Sequence, residues 1–89
     1  MPQITKEITV KNAQGLHARP AALFVQIASR YNSEVTIQKD GERINGKSIM
    51  GILTLGVQPG VTVILEIDGE DAEKVIVELE ELLTKDVIE

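Results

Sequence analysis

GLHARPAALFVQIASRY, residues 15–31, contains a sharp turn, a helix start and the face that the helix buries. Pro20 suits the first turn of a helix, where its missing N–H costs nothing and its fixed φ fits the backbone. That position puts His17 at the cap, and Gly15 lets the chain turn sharply before it. Apolar residues then recur at 21, 24, 25, 28 and 31, the spacing of one helix face. The pattern predicts a helix over residues 17–31.

The remaining elements are short and are separated by turn residues. ITKEITV (4–10), EVTIQ (34–38), ERING (42–46) and VTVILEID (61–68) predict four strands, and the near-continuous apolar run at 61–67 favours a central one. Asp40–Gly41 predicts a hairpin turn. Ser48 and Gly56 bound a short helix, KSIMGILTLG, and residues 69–89 predict a long closing helix. Its apolar face comprises Ala72, Val75, Ile76, Leu79, Leu82 and Leu83.

The element order β-α-β-β-α-β-α indicates an α+β fold, with helices on one face of an antiparallel sheet. Eighty-nine residues leave room for one core, so residues 1–89 are expected to be a single domain. Aromatic residues are limited to Phe24 and Tyr31, so the core must be built from Ile, Val, Leu and Ala.

The composition argues against several classes of protein. No apolar run approaches the roughly 20 residues that span a bilayer, and the N-terminus has no signal-peptide pattern, so a cytoplasmic location is expected. The net charge is −5, with eight acids in residues 69–89, and no basic stripe with aromatic residues predicts nucleic-acid binding. One histidine without any cysteine argues against a metal site, and no cofactor motif is present.

The first candidate site is the helix start at His17. The N–H groups of Ala18 and Arg19 precede the first intrahelical hydrogen bond, and such amides form an anion site at the positive end of the helix. Arg19 adds donors suited to phosphate oxygens. A neutral imidazole beside these donors suits attack on phosphorus and holding of a phosphoryl group. A lone histidine is nevertheless more often a surface or capping residue.

The second candidate site is the helix start at Ser48. Serine is a good N-cap, so a purely capping role is one interpretation. A phosphoryl group on its oxygen would also lie at a helix N-terminus, near Lys47, and would add about two negative charges. Ile49 and Met50 follow, and at least one of them is expected to be exposed. Methionine is adaptable at partner surfaces but more commonly packs in a core.

With both motifs in place, the chain resembles HPr, the histidine-containing phosphocarrier family of the bacterial phosphoenolpyruvate-dependent sugar phosphotransferase system. The resemblance covers nearly the whole length. It is carried by GLHARPAALFV, by NGKSIMGILTLGV and by GEDAE at the start of the last helix. KSIMG, Gln26 and Ser29 are similar to the Gram-positive type, since enteric relatives carry lysines at the latter two positions. Gly46 stands where some members carry a larger residue.

The resemblance implies a fold and a set of roles. The fold would be an open-faced β-sandwich, with a four-stranded antiparallel sheet and three helices on one face. The protein would be a stoichiometric carrier rather than an enzyme: His17 would accept a phosphoryl group on Nδ1 from phosphorylated enzyme I, and Arg19 would stabilise it. The group would then pass to the IIA domain of a sugar permease. Ser48 would be the target of HPr kinase/phosphorylase, and its phosphorylated form would bind a catabolite-control repressor.

The resemblance also implies which residues contact these partners and in what state the protein works. Partner contacts would involve Leu23, Lys47, Ile49 and Met50. The protein would be a monomer, without direct nucleic-acid binding or membrane insertion. As a component shared by many permeases, the carrier would not be specific to one sugar.

Two other functions stay open at this point. One is a regulatory paralogue of HPr that keeps the serine and lacks the histidine, against which the presence of His17 argues. The other is a small ligand-binding βα domain of the amino-acid-sensing kind, without covalent chemistry. Incubation with phosphoenolpyruvate and enzyme I separates them, because only the carrier gains an acid-labile phosphoryl group.

Overall fold

The computed structural model describes residues 3–85, and within them the strands and helices follow the predicted order. The elements are β1 (Gln3–Thr9), α1 (Ala18–Ser29), β2 (Glu34–Lys39), β3 (Glu42–Asn45), α2 (Ile49–Leu55), β4 (Thr62–Asp68) and α3 (Ala72–Thr84). The first helix ends two residues earlier than predicted, which leaves Tyr31 beyond it. The closing helix begins at Ala72 rather than at residue 69, and residues 86–89 of that prediction lie outside the described residues.

The sheet is antiparallel throughout and has the strand order β1-β4-β2-β3. β4 is therefore central, as its apolar run predicted. Val63, Leu65 and Ile67 are buried on the face that the helices cover, whereas Ile64 is half-buried on the opposite face. The apolar run therefore belongs to a strand at the centre of the sheet that is fully buried on one face only. The uncovered face of the sheet gives the fold its open side.

The β2–β3 hairpin has the two-residue turn that the sequence predicted. Lys39 pairs with Glu42, so Asp40 and Gly41 alone connect the strands. Their φ values are +52° and +84°, and two positive φ values in succession characterise the type I′ turn, which matches the twist of the strands.

The three helices and the inner face of the sheet enclose one hydrophobic core. Phe24 is fully buried in it, and the other buried hydrophobic residues are aliphatic, as expected from the composition. On α3 the buried face is narrower than predicted, because Leu82 lies at its edge and is only partly buried. Within residues 3–85, no helix combines the length and apolar character needed to cross a membrane.

Gly46 lies in a tight contact between the end of β3 and β2. Its N–H donates to the Val35 carbonyl at 2.7 Å. A Cβ atom on Gly46 would lie 2.5 Å from Val35 Cγ1, closer than side chains approach. The residue is buried, so its effect in this chain is on backbone packing.

The chain after α1 is joined to α3 through one carboxylate. Tyr31 Oη donates a hydrogen bond to Glu78, and Arg30 Nη1 lies 3.0 Å from Glu78 Oε1. The hydrogen bond to Glu78 raises the pKa of Tyr31, with smaller contributions from desolvation and from the negative charge of Glu78. Because the folded-state pKa is raised, this stabilisation is complete below the pKa of an unfolded tyrosine and is lost as pH rises through the folded value.

We predict that Tyr31 ionises above the ordinary tyrosine value of about 10 and that Glu78→Ala lowers its midpoint. Ultraviolet absorbance measures this directly, since the chain has one tyrosine and no tryptophan. Glu81→Ala is the matched control, because Glu81 is an exposed α3 carboxylate paired with Lys85. Equal midpoints in the wild type and Glu78→Ala would contradict the contact.

Candidate functional site

His17 occupies the N-cap position of α1, with an extended backbone at φ −75° and ψ −171°. Its carbonyl accepts the Ala21 N–H at 2.8 Å, which is the first hydrogen bond of the helix pattern. The imidazole makes no capping hydrogen bond and is exposed. The ring therefore does not serve as a cap, although the residue has the cap position that the sequence predicted.

The turn before His17 lies directly against the segment that follows α2. Gly15 has φ +60°, and a Cβ atom there would lie 2.6 Å from the Val57 carbonyl oxygen. The next amide, that of Leu16, donates to the same oxygen at 3.0 Å. The Leu16 side chain is buried. Glycine is needed here both for the left-handed backbone and for the close approach.

This approach forms a shallow depression of about 190 Å³ beside the imidazole. Its lining combines the start of α1 with the end of α2, namely Leu16, His17, Ala18, Leu53, Gly56, Val57 and Gln58. The two signature stretches of the sequence, which are separated by β2 and β3 along the chain, meet at this point. The sequence did not predict Leu53, Val57 or Gln58 as neighbours of His17.

Ala18 and Arg19 lie in the first turn of α1, and both are exposed. Their amides precede the first i→i−4 hydrogen bond of the helix, and Pro20, which is buried, contributes no N–H. The positive end of the helix thus points to the same surface as the imidazole. Such a helix start favours an anionic group.

Ser48 caps α2, which confirms the capping interpretation. Its Oγ accepts the Gly51 N–H at 3.1 Å. Lys47 does not extend freely beside it, because its Nζ donates to the Tyr31 carbonyl at 2.9 Å. Lys39, which the sequence analysis did not single out, donates to the Leu55 and Gly56 carbonyls at 3.2 Å each. The Lys39 ammonium thus supplies hydrogen-bond donors to carbonyls at the C-terminal end of α2, next to the depression.

An apolar patch on α2 consists of Ile49, Met50 and Leu53, which are 38%, 70% and 38% exposed. The exposure expected for Ile49 or Met50 is present in both. Leu53 was missed, although its spacing of four from Ile49 on a helix was a signal for it. Leu53 also lines the depression, so the apolar patch is continuous with the surroundings of His17. Leu23, on α1, is half-buried.

Ser48 and His17 lie near opposite ends of α2. Ser48 begins α2, whereas His17 adjoins its last residues, and seven helical residues span roughly 10 Å. One helix therefore connects the two candidate sites. Within residues 3–85, His, Cys, Asp and Glu side chains form no group of three that could hold a metal ion.

Comparison with known proteins identifies the family to which this architecture corresponds. The model of the family described as PTS HPr component phosphorylation site matches residues 4–85. The HPr-like protein Crh of Halalkalibacterium halodurans is 48% identical over 71 residues, which are 80% of this chain and 84% of that protein.

Solved structures show the same fold. The phosphocarrier protein HPr of Bacillus anthracis is 41% identical and superposes with a TM-score of 0.88, over 91% of this chain and 96% of that chain. An HPr dimer from Thermoanaerobacter tengcongensis is 51% identical, with a TM-score of 0.70, over 92% of each chain.

We predict that Ser48→Ala lowers the free energy of unfolding by about 1 kcal/mol, whereas Ser48→Asp keeps it near the wild-type value. Alanine removes the acceptor for the Gly51 N–H, and aspartate replaces it at a favourable end of the helix dipole. Urea unfolding measures both. Thr54→Ala is the control, because the Thr54 hydroxyl bonds back to the Met50 carbonyl and caps nothing. An alanine variant as stable as the wild type would show that the cap contributes little.

Proposed function

Because the chain belongs to the PTS HPr family, we propose that it is a phosphocarrier protein that accepts a phosphoryl group on His17. The single observation that supports this most strongly is the exposed imidazole at a helix N-terminus, unused as a cap and open to solvent beside an apolar patch. The donor would be phosphorylated enzyme I, and the acceptor the IIA domain of a sugar permease. The protein would act stoichiometrically and not as an enzyme.

The proposed transfer places the new bond at His17 Nδ1. The lone pair of this nitrogen attacks phosphorus while the bond from phosphorus to the donor breaks, so no water and no additional base are needed. Phosphoryl transfer depends chiefly on positioning and on neutralisation of the three equatorial oxygens. The Ala18 and Arg19 amides at the start of α1 and the Arg19 guanidinium would supply this neutralisation.

The apolar patch of Ile49, Met50 and Leu53 is the proposed docking surface for enzyme I and the IIA domains. It is exposed and it adjoins the His17 depression through Leu53. A partner seated on this patch would therefore reach the imidazole without a rearrangement of the sheet. Leu23 and Lys47 stay proposed contacts at its margin, and the hydrogen bond of Lys47 to Tyr31 would limit its reach.

Ser48 is the proposed regulatory site. Phosphorylation by an HPr kinase/phosphorylase would add about two negative charges next to Ile49 and Met50. Phosphate oxygens could replace the hydroxyl as acceptors for the Gly51 N–H, so α2 would keep its start. The modified surface would bind a catabolite-control repressor and would disfavour acidic groups on enzyme I.

A purely regulatory HPr-like function is the second candidate. The 48% identity to an HPr-like Crh protein favours it. In that case Ser48 would be phosphorylated by the ATP-dependent kinase, whereas enzyme I would leave His17 unmodified. Family membership argues against the amino-acid-sensing domain that the sequence left open.

The proposed protein is a monomer located in the cytoplasm. The HPr dimer of T. tengcongensis makes the oligomeric state a separate measurement.

We predict that His17→Ala folds normally but gains no phosphoryl group from phosphoenolpyruvate and enzyme I. The side chain is exposed and makes no cap, so its loss should cost about 1 kcal/mol or less. Mass spectrometry before and after acid treatment detects the labile group. Ser48→Ala is the control and should still be phosphorylated. A phosphorylated His17→Ala protein would refute the site, and an unmodified wild type would favour the regulatory candidate.

We predict that Ser48→Asp slows phosphorylation of His17 mainly by raising the half-saturating concentration of this protein for enzyme I. The added charge lies beside the apolar patch and mimics about half of a phosphoryl group. Gln38→Glu is the matched control, because it adds one charge on the uncovered face of the sheet opposite Arg43. Steady-state transfer at varied concentration separates docking from the maximal rate. Equal half-saturation in the two variants would remove Ser48 from the docking surface.

A further inference from the structure

Asn12 is a fully buried polar residue in the turn that precedes His17. Its Nδ2 donates to the Gly15 carbonyl at 3.1 Å, whereas its Oδ1 is buried and has no hydrogen-bond partner within the described residues. A buried acceptor left unpaired is destabilising by about 1–3 kcal/mol. The amide is therefore a poor choice for stability alone, and its contribution must be sought in the turn that it holds.

The Asn12 side chain and Val57 hold one peptide group from both sides. The carbonyl of the Gly15–Leu16 peptide accepts from Asn12 Nδ2, and its N–H donates to the Val57 carbonyl at 3.0 Å. Asn12 also accepts the Gly15 N–H at 3.3 Å through its own carbonyl. With both polar atoms engaged, this peptide plane has little freedom to rotate.

The same residue connects the turn to α3. The backbone N–H of Asn12 donates to the Leu83 carbonyl at 3.2 Å, as that of Lys11 does at 2.9 Å. The turn is thus fixed to the end of α3 at one side and to the segment after α2 at the other. His17 follows directly after the Gly15–Leu16 peptide. The two hydrogen bonds that hold this peptide therefore set the direction in which the chain enters the N-cap position.

The geometry points to Asn12 as a positioning residue for phosphoryl transfer at His17, a role that rests on the proposed function. Asn12 does not touch the reacting atoms. It fixes the Gly15–Leu16 peptide, and through it the placement of the imidazole relative to the first turn of α1. In-line transfer is sensitive to such placement, and a displacement of about 1 Å can lower a rate by about two orders of magnitude.

The decisive variant is Asn12→Leu in the full chain. Leucine keeps the branched shape of asparagine with two methyl groups in place of the amide oxygen and nitrogen, so it removes both the unpaired Oδ1 and the donor to Gly15. Steady-state transfer from phosphorylated enzyme I should show a maximal rate reduced by about tenfold, with the half-saturating concentration unchanged because the apolar patch on α2 is intact. Thermal melts measured in parallel should show a folded protein at the assay temperature.

Ser33→Ala is the matched control. Ser33 is the other buried polar residue among residues 3–85, and its hydroxyl also has no partner. It lies against Gly69, at the end of β4 remote from Val57. Its replacement should leave both the maximal rate and the half-saturating concentration at the wild-type values. A loss in Ser33→Ala as large as that in Asn12→Leu would assign the effect to general destabilisation and overturn the proposal.

Amide hydrogen exchange at Leu16 gives a readout that does not depend on transfer. Exchange at this amide should accelerate in Asn12→Leu, because that variant loses the hydrogen bond to the neighbouring Gly15 carbonyl. It should not accelerate in Ser33→Ala. A wild-type maximal rate or unchanged Leu16 exchange in Asn12→Leu overturns the positioning role. If the wild type accepts no phosphoryl group, the proposed function fails and the role in transfer fails with it, while the exchange data still report whether Asn12 fixes the turn.

Discussion

The close approach of Gly15 to Val57 is the constraint on which the candidate site depends. The Val57 carbonyl accepts the Leu16 N–H and leaves no room for a side chain at Gly15. This contact brings the start of α1 beside the end of α2, although neither helix is long. The depression beside His17 and the continuity of Leu53 with the His17 surroundings both follow from it.

Most of the fold could be predicted from local chemistry. Pro20 located the start of α1, Asp40–Gly41 located the hairpin, and Gly56, with φ +70°, ends α2 as expected. These features depend on residues next to one another in the chain. The apolar run around Val63 also indicated the central strand, because the composition of a strand reflects how buried it is. It did not indicate which strands pair with β4.

The surroundings of His17 could not be predicted in the same way. Val57 and Gln58 line the depression beside the imidazole through tertiary packing, and nothing in their own sequence marks them. The orientation of Lys47 toward Tyr31 and the burial of Asn12 likewise depend on elements distant in the chain. Turn and capping residues identified the candidate histidine and serine, whereas the shape of the surface between them depends on the assembled core.

The strand order has a consequence for the protein during its synthesis. β4 lies between β1 and β2 in the sheet but is synthesised after both. In a nascent chain, β2 and β3 have therefore both been made while β1 still has no strand to pair with. Pairings between distant segments form slowly because a long loop must close first. The Lys11 and Asn12 amides find the Leu83 carbonyl only once α3 has emerged. The loop that presents the imidazole is therefore ordered last, and a fragment truncated before α3 would carry His17 without the scaffold that orients it.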